Sequence, residues 1–212
     1  GFANMLQGEM KAPPMETSSH TGICASGVIA LRHAADAIEL KRHKKACVAA
    51  CEYPSRMFKK TRFTESGYHA DFDSHFLRWM LSDGAGSMIL SQKPRAQGLS
   101  LKLKHIHIKS FSGDYPTCMQ IGSPHDEPEI SYLDYNSLHD AEKAGSFLLR
   151  QNIRLLPHLF ELGIHEYIEL QKDGVFKANE IDHFLCHYSS EKFAPVVQEL
   201  IEKAGAAIPK ER

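Results

Sequence analysis

Hydrophobic and polar positions along the chain change period several times, as they do when helices and strands alternate. Residues 26–42 repeat apolar side chains at the spacing of an α-helix. The predicted buried face of this helix consists of Val28, Leu31, Ala35 and Ile38. A short apolar run follows at residues 46–51 and predicts a buried, parallel strand. This order of elements favours an α/β layered architecture.

The same alternation continues through the rest of the chain. Further helices are predicted at residues 3–10, 74–81, 137–171 and 191–204. Further strands are predicted at residues 87–92, 99–111 and 181–186. Residues 53–73 and 112–136 are polar or rich in turn formers and predict loops. Pro157 predicts a kink or a division in the long helical region.

Composition narrows the class of protein. The chain has 212 residues, is 42% hydrophobic, and carries 25 Lys and Arg against 26 Asp and Glu. This balance provides no overall positive field that would hold nucleic acid. No apolar run approaches the length of about 20 residues that spans a bilayer, and no charged-then-apolar leader is visible. We therefore expect a globular cytoplasmic protein with no nucleic-acid partner and no membrane span.

The cysteine pattern predicts reduced thiols rather than a framework of disulfides. The five cysteines are an odd set without a CxxC pair, which argues against disulfides and zinc. Cys24 follows a short extended segment and precedes the helix at residues 26–42, and a helix amino terminus favours a reactive thiolate. The alternative is that Cys24 is a small packing residue, because unpaired cysteines are commonly buried and inert.

Histidines supply the second candidate group. His187 follows the predicted strand at residues 181–186, and functional groups gather at strand ends in α/β sheets. The alternative is that His187 is a bystander, since the chain has 13 histidines. His105 and His107 would share a strand face as two metal ligands, but no third ligand of matched spacing accompanies them. The turn at residues 83–86 (DGAG) has no phosphate-binding pattern.

Three blocks of sequence, taken in order, resemble the thiolase superfamily and, within it, β-ketoacyl-ACP synthase III. Residues 22–27 (GICASG), followed by a helix of small residues, are similar to the nucleophile block. Residues 47–56 (CVAACEYPSR) and 81–90 (LSDGAGSMIL) resemble the family's strand, Ser-Arg step and glycine turn. Residues 181–192 (IDHFLCHYSSEK) resemble the strand that ends in the catalytic histidine. The resemblance spans most of residues 1–205.

The resemblance implies an α/β, thiolase-like fold of five αβαβα layers in a homodimer. Residues 1–95 would form the end of the amino-terminal half, with the nucleophile. Residues 96–212 would form the carboxy-terminal half, with the histidine and without its last strands. The chain would then be incomplete at both ends. The segment at residues 71–86 is longer than in housekeeping synthases and resembles secondary-metabolism members such as those that make dialkylresorcinols.

The resemblance also implies chemistry. Cys24 would accept an acyl group from acyl-CoA or an acyl carrier protein, and a malonyl- or 3-oxoacyl-thioester would then condense with it. His187 would assist decarboxylation and stabilise the enolate. Ser190, Lys192 and Arg56 would bind substrate, with Lys192 at the position of a phosphate-contacting arginine. No cofactor is implied, because the CoA or phosphopantetheine thioester is itself the substrate.

Two departures from the family pattern keep other functions open. The chain reads His-Tyr-Ser-Ser at residues 187–190, where synthase III has His-Gln-Ala-Asn. The family's separate catalytic asparagine would fall beyond residue 212. A non-condensing acyltransferase could pass the acyl group from Cys24 to an alcohol or amine. A non-catalytic subunit with the thiolase fold is the remaining alternative.

Overall fold

The computed structural model describes residues 1–64, 71–188 and 190–205. The chain is a mixed helix and sheet protein, 43% helical and 10% strand, so helices provide most of the packing surfaces. This composition is compatible with the predicted α/β class. The helices are α1 (Phe2–Glu9), α2 (Ser26–Glu39), α3 (Thr61–Thr64), α4 (Phe72–Met80), α5 (Leu138–Lys143), α6 (Leu156–Lys172) and α7 (Ala194–Lys203). The strands are β1 (Lys45–Glu52), β2 (Gly84–Ser91), β3 (Met119–Gln120) and β4 (Arg150–Gln151).

The chain forms two compact units. The first contains Gly1–Tyr53 and Asp83–Ser110, and the second contains Pro54–Ser82 and Phe111–Arg212. The division into thiolase halves at residue 95 stays a prediction. Among the described residues, no helix is both long enough and apolar enough to cross a membrane.

In the first unit, α2 packs against β1. The two elements can approach closely because Gly27 faces Ala50, and a Cβ built at residue 27 would lie 3.4 Å from the Ala50 Cβ. The buried apolar side chains of this unit are Ala34, Ile38 and Val48. The predicted helix is confirmed, and Ile38 lies in the core as expected. Val28 is 43% exposed, so the predicted face is only partly buried.

The strand at β1 is confirmed, but its predicted parallel pairing is wrong. β1 runs antiparallel to β2 along its full length, from Lys45 opposite Ser91 to Glu52 opposite Gly84. The apolar run suggested burial on both faces, as in a parallel sheet. Its side chains are mostly alanine and cysteine, which can stand on an exposed face at small cost.

In the second unit, α4 packs against β4. Leu77 and Ser74 of α4 are almost completely buried. The Asp71 carboxylate caps α4 by accepting hydrogen bonds from the Ser74 amide at 2.9 Å and the Ser74 hydroxyl at 2.8 Å. The same carboxylate lies 4.0 Å from the nearly buried guanidinium of Arg150 on β4. An ion pair between distant parts of the sequence therefore fixes the start of α4.

α5, α6 and α7 of the second unit agree with the sequence pattern, whereas the short helix α3 lies in the predicted loop at residues 53–73, where the prediction is wrong. The predicted helical region at residues 137–171 forms α5 and α6, and Pro157 stands in the first turn of α6. Proline is tolerated there because the first amides of a helix have no intrahelical acceptor. The aromatic rings of Phe160 and Phe193 lie 5.2 Å apart where α6 meets the approach to α7.

Two predicted strands are wrong. Residues 99–111 and 181–186 lie outside every strand in the described parts of the chain. Leu101 is 87% exposed and Leu185 is 96% exposed, so neither segment buries its apolar side chains. Alternation of apolar and polar residues favours an extended backbone, but it does not supply a partner strand.

Candidate functional site

The backbone around Cys24 forms a tight turn that leads directly into α2. Cys24 is the middle residue of a 3-10 turn at Ile23–Ala25, and α2 begins at the next residue. The Ala25 amide donates to the Gly22 carbonyl at 3.0 Å. The Ser26 hydroxyl donates to the Ile23 carbonyl at 2.7 Å. Cys24 is exposed, and its position at the amino end of the helix agrees with the sequence prediction.

Ile23 carries backbone strain beside the thiol. Its φ is +52°, in the left-handed region that β-branched residues rarely occupy. A strained residue of this kind costs on the order of 1–3 kcal/mol and is typical of functional sites. The side chain is 54% exposed, so burial does not explain why isoleucine stands there.

Glycines clear the space around this turn. A Cβ built at Gly22 would lie 2.5 Å from the Ile29 Cδ1, so a side chain there would displace Ile29. Gly27 allows the close contact between α2 and β1 described above. The turn that leads to Cys24 therefore has no room for a side chain at Gly22, two residues before the cysteine.

Cys24 lies next to the amino end of α2. The N-cap position of α2 is Ala25, and no side chain caps the helix there. Two of the leading amides are already used by the turn, because the Ala25 amide donates to the Gly22 carbonyl and the Ser26 amide to the Ile23 carbonyl. The amino end of a helix nevertheless carries the positive end of its dipole. A thiolate, or the oxyanion formed when a thiolate attacks a carbonyl, is stabilised in such a position.

His187 lies in a segment without regular structure. It is exposed, and it follows Cys186, whose Sγ lies 3.9 Å from the His187 carbonyl oxygen. Partial burial raises the pKa of the Cys186 thiol, which makes this cysteine a poor nucleophile. The expected position of His187 at the end of a strand is wrong, because residues 181–186 form no strand.

Tyr188 and Ser190 connect this segment to the start of α7. The Tyr188 hydroxyl donates to the Glu191 carboxylate at 3.1 Å, and this bond and the carboxylate charge raise the pKa of Tyr188. The Ser190 hydroxyl accepts from the Lys192 amide at 3.3 Å and caps the turn Glu191–Phe193. Ser189 lies outside the described residues. Ser190 therefore has a local structural role in addition to its predicted substrate contact.

The two predicted cationic groups stand on short turns. Arg56 ends the turn Pro54–Arg56, where Pro54 is buried and Arg56 is exposed. Lys192 is exposed in the turn before α7. Exposed side chains at these positions can reach a phosphate group in solution.

Four of the five predicted site residues belong to one compact unit, and Cys24 belongs to the other. His187, Ser190 and Lys192 lie within six residues of sequence before α7, and Arg56 belongs to the same unit. Cys24 belongs to the first unit.

Sequence reasoning missed two contributors. The sequence pattern did not predict the Ser26 hydroxyl bond, although serine at the first residue of a helix is a recognisable signal. The Tyr188–Glu191 pair was also missed, although a spacing of three residues could have indicated it.

The described residues contain no group of three His, Cys, Asp or Glu side chains that could hold a metal ion. The imidazole rings of His105 and His107, the pair considered above as metal ligands, have centroids 6.4 Å apart and are nearly parallel.

No protein-family model matches the chain, and no curated protein matches it significantly.

Proposed function

We propose that this protein is an acyl-thioester condensing enzyme of the β-ketoacyl-ACP synthase III type. The observation that carries the proposal is the exposed Cys24 thiol on a strained turn at the amino end of α2. The proposal includes a thiolase-like fold of five αβαβα layers, a homodimer and a cytoplasmic location. It draws its reaction from the three sequence blocks that resemble the family.

The first half-reaction loads Cys24. The thiolate attacks the carbonyl carbon of an acyl-CoA or acyl carrier protein thioester. The bond from that carbon to the donor sulfur breaks, and the donor leaves as a thiolate. A thiolate is both a strong nucleophile and a good leaving group, so the acyl group can later leave Cys24. Amides at the start of α2 support the oxyanion of the tetrahedral intermediate.

The second half-reaction forms a carbon–carbon bond. A malonyl-thioester loses CO₂, and the electron pair of the broken bond becomes an enolate. The His187 ring donates a hydrogen bond to the enolate oxygen. The enolate carbon attacks the acyl carbon on Cys24, and the Cys24 sulfur leaves as a thiolate. The product is a 3-oxoacyl thioester.

The two cationic residues, Lys192 and Arg56, would bind the phosphate groups of the substrate. Lys192 and Arg56 are exposed on short turns, as a phosphate-binding group needs to be. CoA and phosphopantetheine both carry phosphate groups, and charge-assisted hydrogen bonds to phosphate are among the strongest in proteins. Ser190 stands beside Lys192 and adds a hydroxyl to the same stretch.

The proposal is tested by CO₂ release from malonyl-CoA after priming with acyl-CoA. Cys24→Ala is expected to abolish condensation. His187→Ala should lower CO₂ release by roughly 10²–10⁴-fold while Cys24 still takes up the acyl group. Cys47→Ala is the matched control, because Cys47 is also an exposed thiol but stands within β1. An equal loss of condensation activity in Cys24→Ala and Cys47→Ala would reject Cys24 as the nucleophile.

One observation favours a second candidate, a non-condensing acyltransferase. The Ser190 hydroxyl accepts a hydrogen bond from the Lys192 amide. Synthase III has an asparagine at this position, and serine lacks the side-chain amide that would donate a hydrogen bond there. An enzyme of this kind would pass the acyl group from Cys24 to an alcohol or amine without decarboxylation. Acyl transfer to added amines without CO₂ release would select it over condensation. An unreactive Cys24 in a folded protein would instead indicate a non-catalytic subunit.

A further inference from the structure

Residues 99–106 have the side-chain pattern of a strand but no partner strand among the residues that the structure describes. Leu99, Leu101 and Leu103 are 80%, 87% and 44% exposed. Lys102 and Lys104 alternate with them and are also exposed. In an extended backbone this alternation places leucines on one face and lysines on the other.

Few contacts hold this segment within the described part of the chain. The Arg32 guanidinium of α2 donates to the Ile106 carbonyl at 3.0 Å, and the Ser100 hydroxyl accepts from the Arg95 amide at 3.0 Å. Neither bond pairs the segment with another strand. An extended backbone with unpaired amides and carbonyls is a template for a strand from another chain.

The charged residues near the segment in the sequence have one sign. Residues 84–113 contain five Lys or Arg and no Asp or Glu. The whole first unit carries eleven Lys or Arg against six Asp or Glu, although the complete chain is almost neutral. A strand beside residues 99–106 would therefore meet positive charge on its polar face.

We propose that residues 99–106 accept an acidic, extended segment of a partner protein as an added β-strand. Backbone hydrogen bonds would hold the segment in register. Its apolar side chains would cover the leucines, and its carboxylates would face Lys102 and Lys104. Opposite charges directly across a strand pair stabilise it.

Other occupants fit less well. Pairing of this segment with the same segment of a second copy would set lysines against lysines, and like charges across a strand pair are destabilising. Insertion into lipid would leave unpaired backbone groups in hydrocarbon. Single-stranded nucleic acid binds on aromatic platforms, and residues 84–110 contain no Phe, Tyr or Trp.

The test uses two labelled peptides of about nine residues, which lies within the usual range of strand lengths. One alternates valine with glutamate, and the other alternates valine with lysine. Fluorescence anisotropy at low salt measures affinity, and hydrogen exchange measures protection of the amides at residues 99–106. We expect the glutamate peptide to bind at least roughly tenfold more tightly and to protect these amides.

Variants of the full chain locate the effect. Lys102→Glu with Lys104→Glu should reverse the preference between the two peptides. Arg42→Glu with Lys44→Glu makes the same change of charge elsewhere in the first unit and should preserve the preference. Equal affinity for both peptides, no binding of either, or binding without protection of residues 99–106 would overturn the proposal. Concentration-dependent protection without peptide would instead assign the segment to a contact between copies.

Discussion

Cys24 and His187, the two proposed catalytic residues, stand in local surroundings of opposite kinds. The turn at Cys24 is held by hydrogen bonds within five residues, and α2 behind it packs on β1. The segment before His187 has no regular structure, and the bonds described around it are a Cys186 Sγ contact with the His187 carbonyl and the Tyr188–Glu191 hydrogen bond. The geometry at Cys24 is therefore set by local bonds, whereas no helix or strand fixes the segment at residues 181–186 before His187.

The two compact units also differ in the kind of contact that holds each of them together. The first relies on small side chains that let a helix meet a strand, as at Gly27 and Ala50. The second relies on polar contacts between distant residues, as at Asp71 and Arg150. Substitutions in the two units should therefore destabilise the protein through different physical terms.

Asp71→Ala should give the largest effect on stability. It removes the cap of α4 and takes a carboxylate away from the nearly buried Arg150 guanidinium. We expect the free energy of unfolding to fall by about 3 kcal/mol, measured by urea denaturation. Asp36→Ala is the control, because Asp36 forms an exposed pair with Arg32 and should cost at most about 1 kcal/mol. Equal costs would remove the contrast between the units.

Gly27→Val tests the close contact in the first unit. The added methyl groups would press on Ala50, and we expect a loss of about 2 kcal/mol in the free energy of unfolding. Gly163 of α6 is the matched position, because nothing lies within 4 Å of a Cβ built there. Gly163→Val should be neutral or slightly stabilising, since valine is a better helix former than glycine. Similar losses at both positions would contradict close packing at Gly27.

Ile23→Gly tests the strain beside Cys24. Glycine adopts a positive φ without a steric penalty, so the substitution should stabilise the protein by about 0.5–1 kcal/mol. Val28→Gly within α2 should instead destabilise it by a similar amount. Thermal unfolding of the two variants compares them directly. If Ile23→Gly destabilises as much as Val28→Gly, the turn is not strained.

Acid sensitivity gives the smallest expected effect. Burial alone would raise the pKa of Asp71, but hydrogen bonds from Ser74 and the charge of Arg150 lower it below the ordinary 3.8. Ionised Asp71 therefore stabilises the fold at neutral pH, and this stabilisation is lost as pH falls from 3.8 through the lower folded value. Urea midpoints at neutral and acidic pH should show a smaller drop in Asp71→Asn than in the wild type.

Asp73 should shift stability in the opposite sense. Burial and the neighbouring Asp71 charge raise the pKa of Asp73 above 3.8. Its ionisation therefore opposes folding, and this cost is relieved as pH falls through the raised folded value toward 3.8. Asp73→Asn should make the acid-induced drop in urea midpoint steeper than in the wild type, and a shallower drop would contradict the assigned shift.

The confirmed sequence predictions depend on local signals. The helix at residues 26–42 and the strand at 46–51 follow from periodicity and apolar runs. Pro157 divides the predicted helical region, because a proline is tolerated in the first turn of a helix but not in its interior. The strands at 99–111 and 181–186 failed because alternation does not reveal whether a partner strand exists. The left-handed Ile23 was not predictable, because local preference excludes a β-branched residue there.

Intact-protein mass spectrometry after incubation with a panel of acyl-CoAs tests the central claim most directly. The account predicts a single acyl adduct for each accepted thioester, mapped by peptide analysis to Cys24 and absent from Cys24→Ala. The chain length that loads would define the acyl specificity. An adduct on another cysteine, or no adduct in a protein whose fold is intact, would contradict the assignment of Cys24 as the nucleophile.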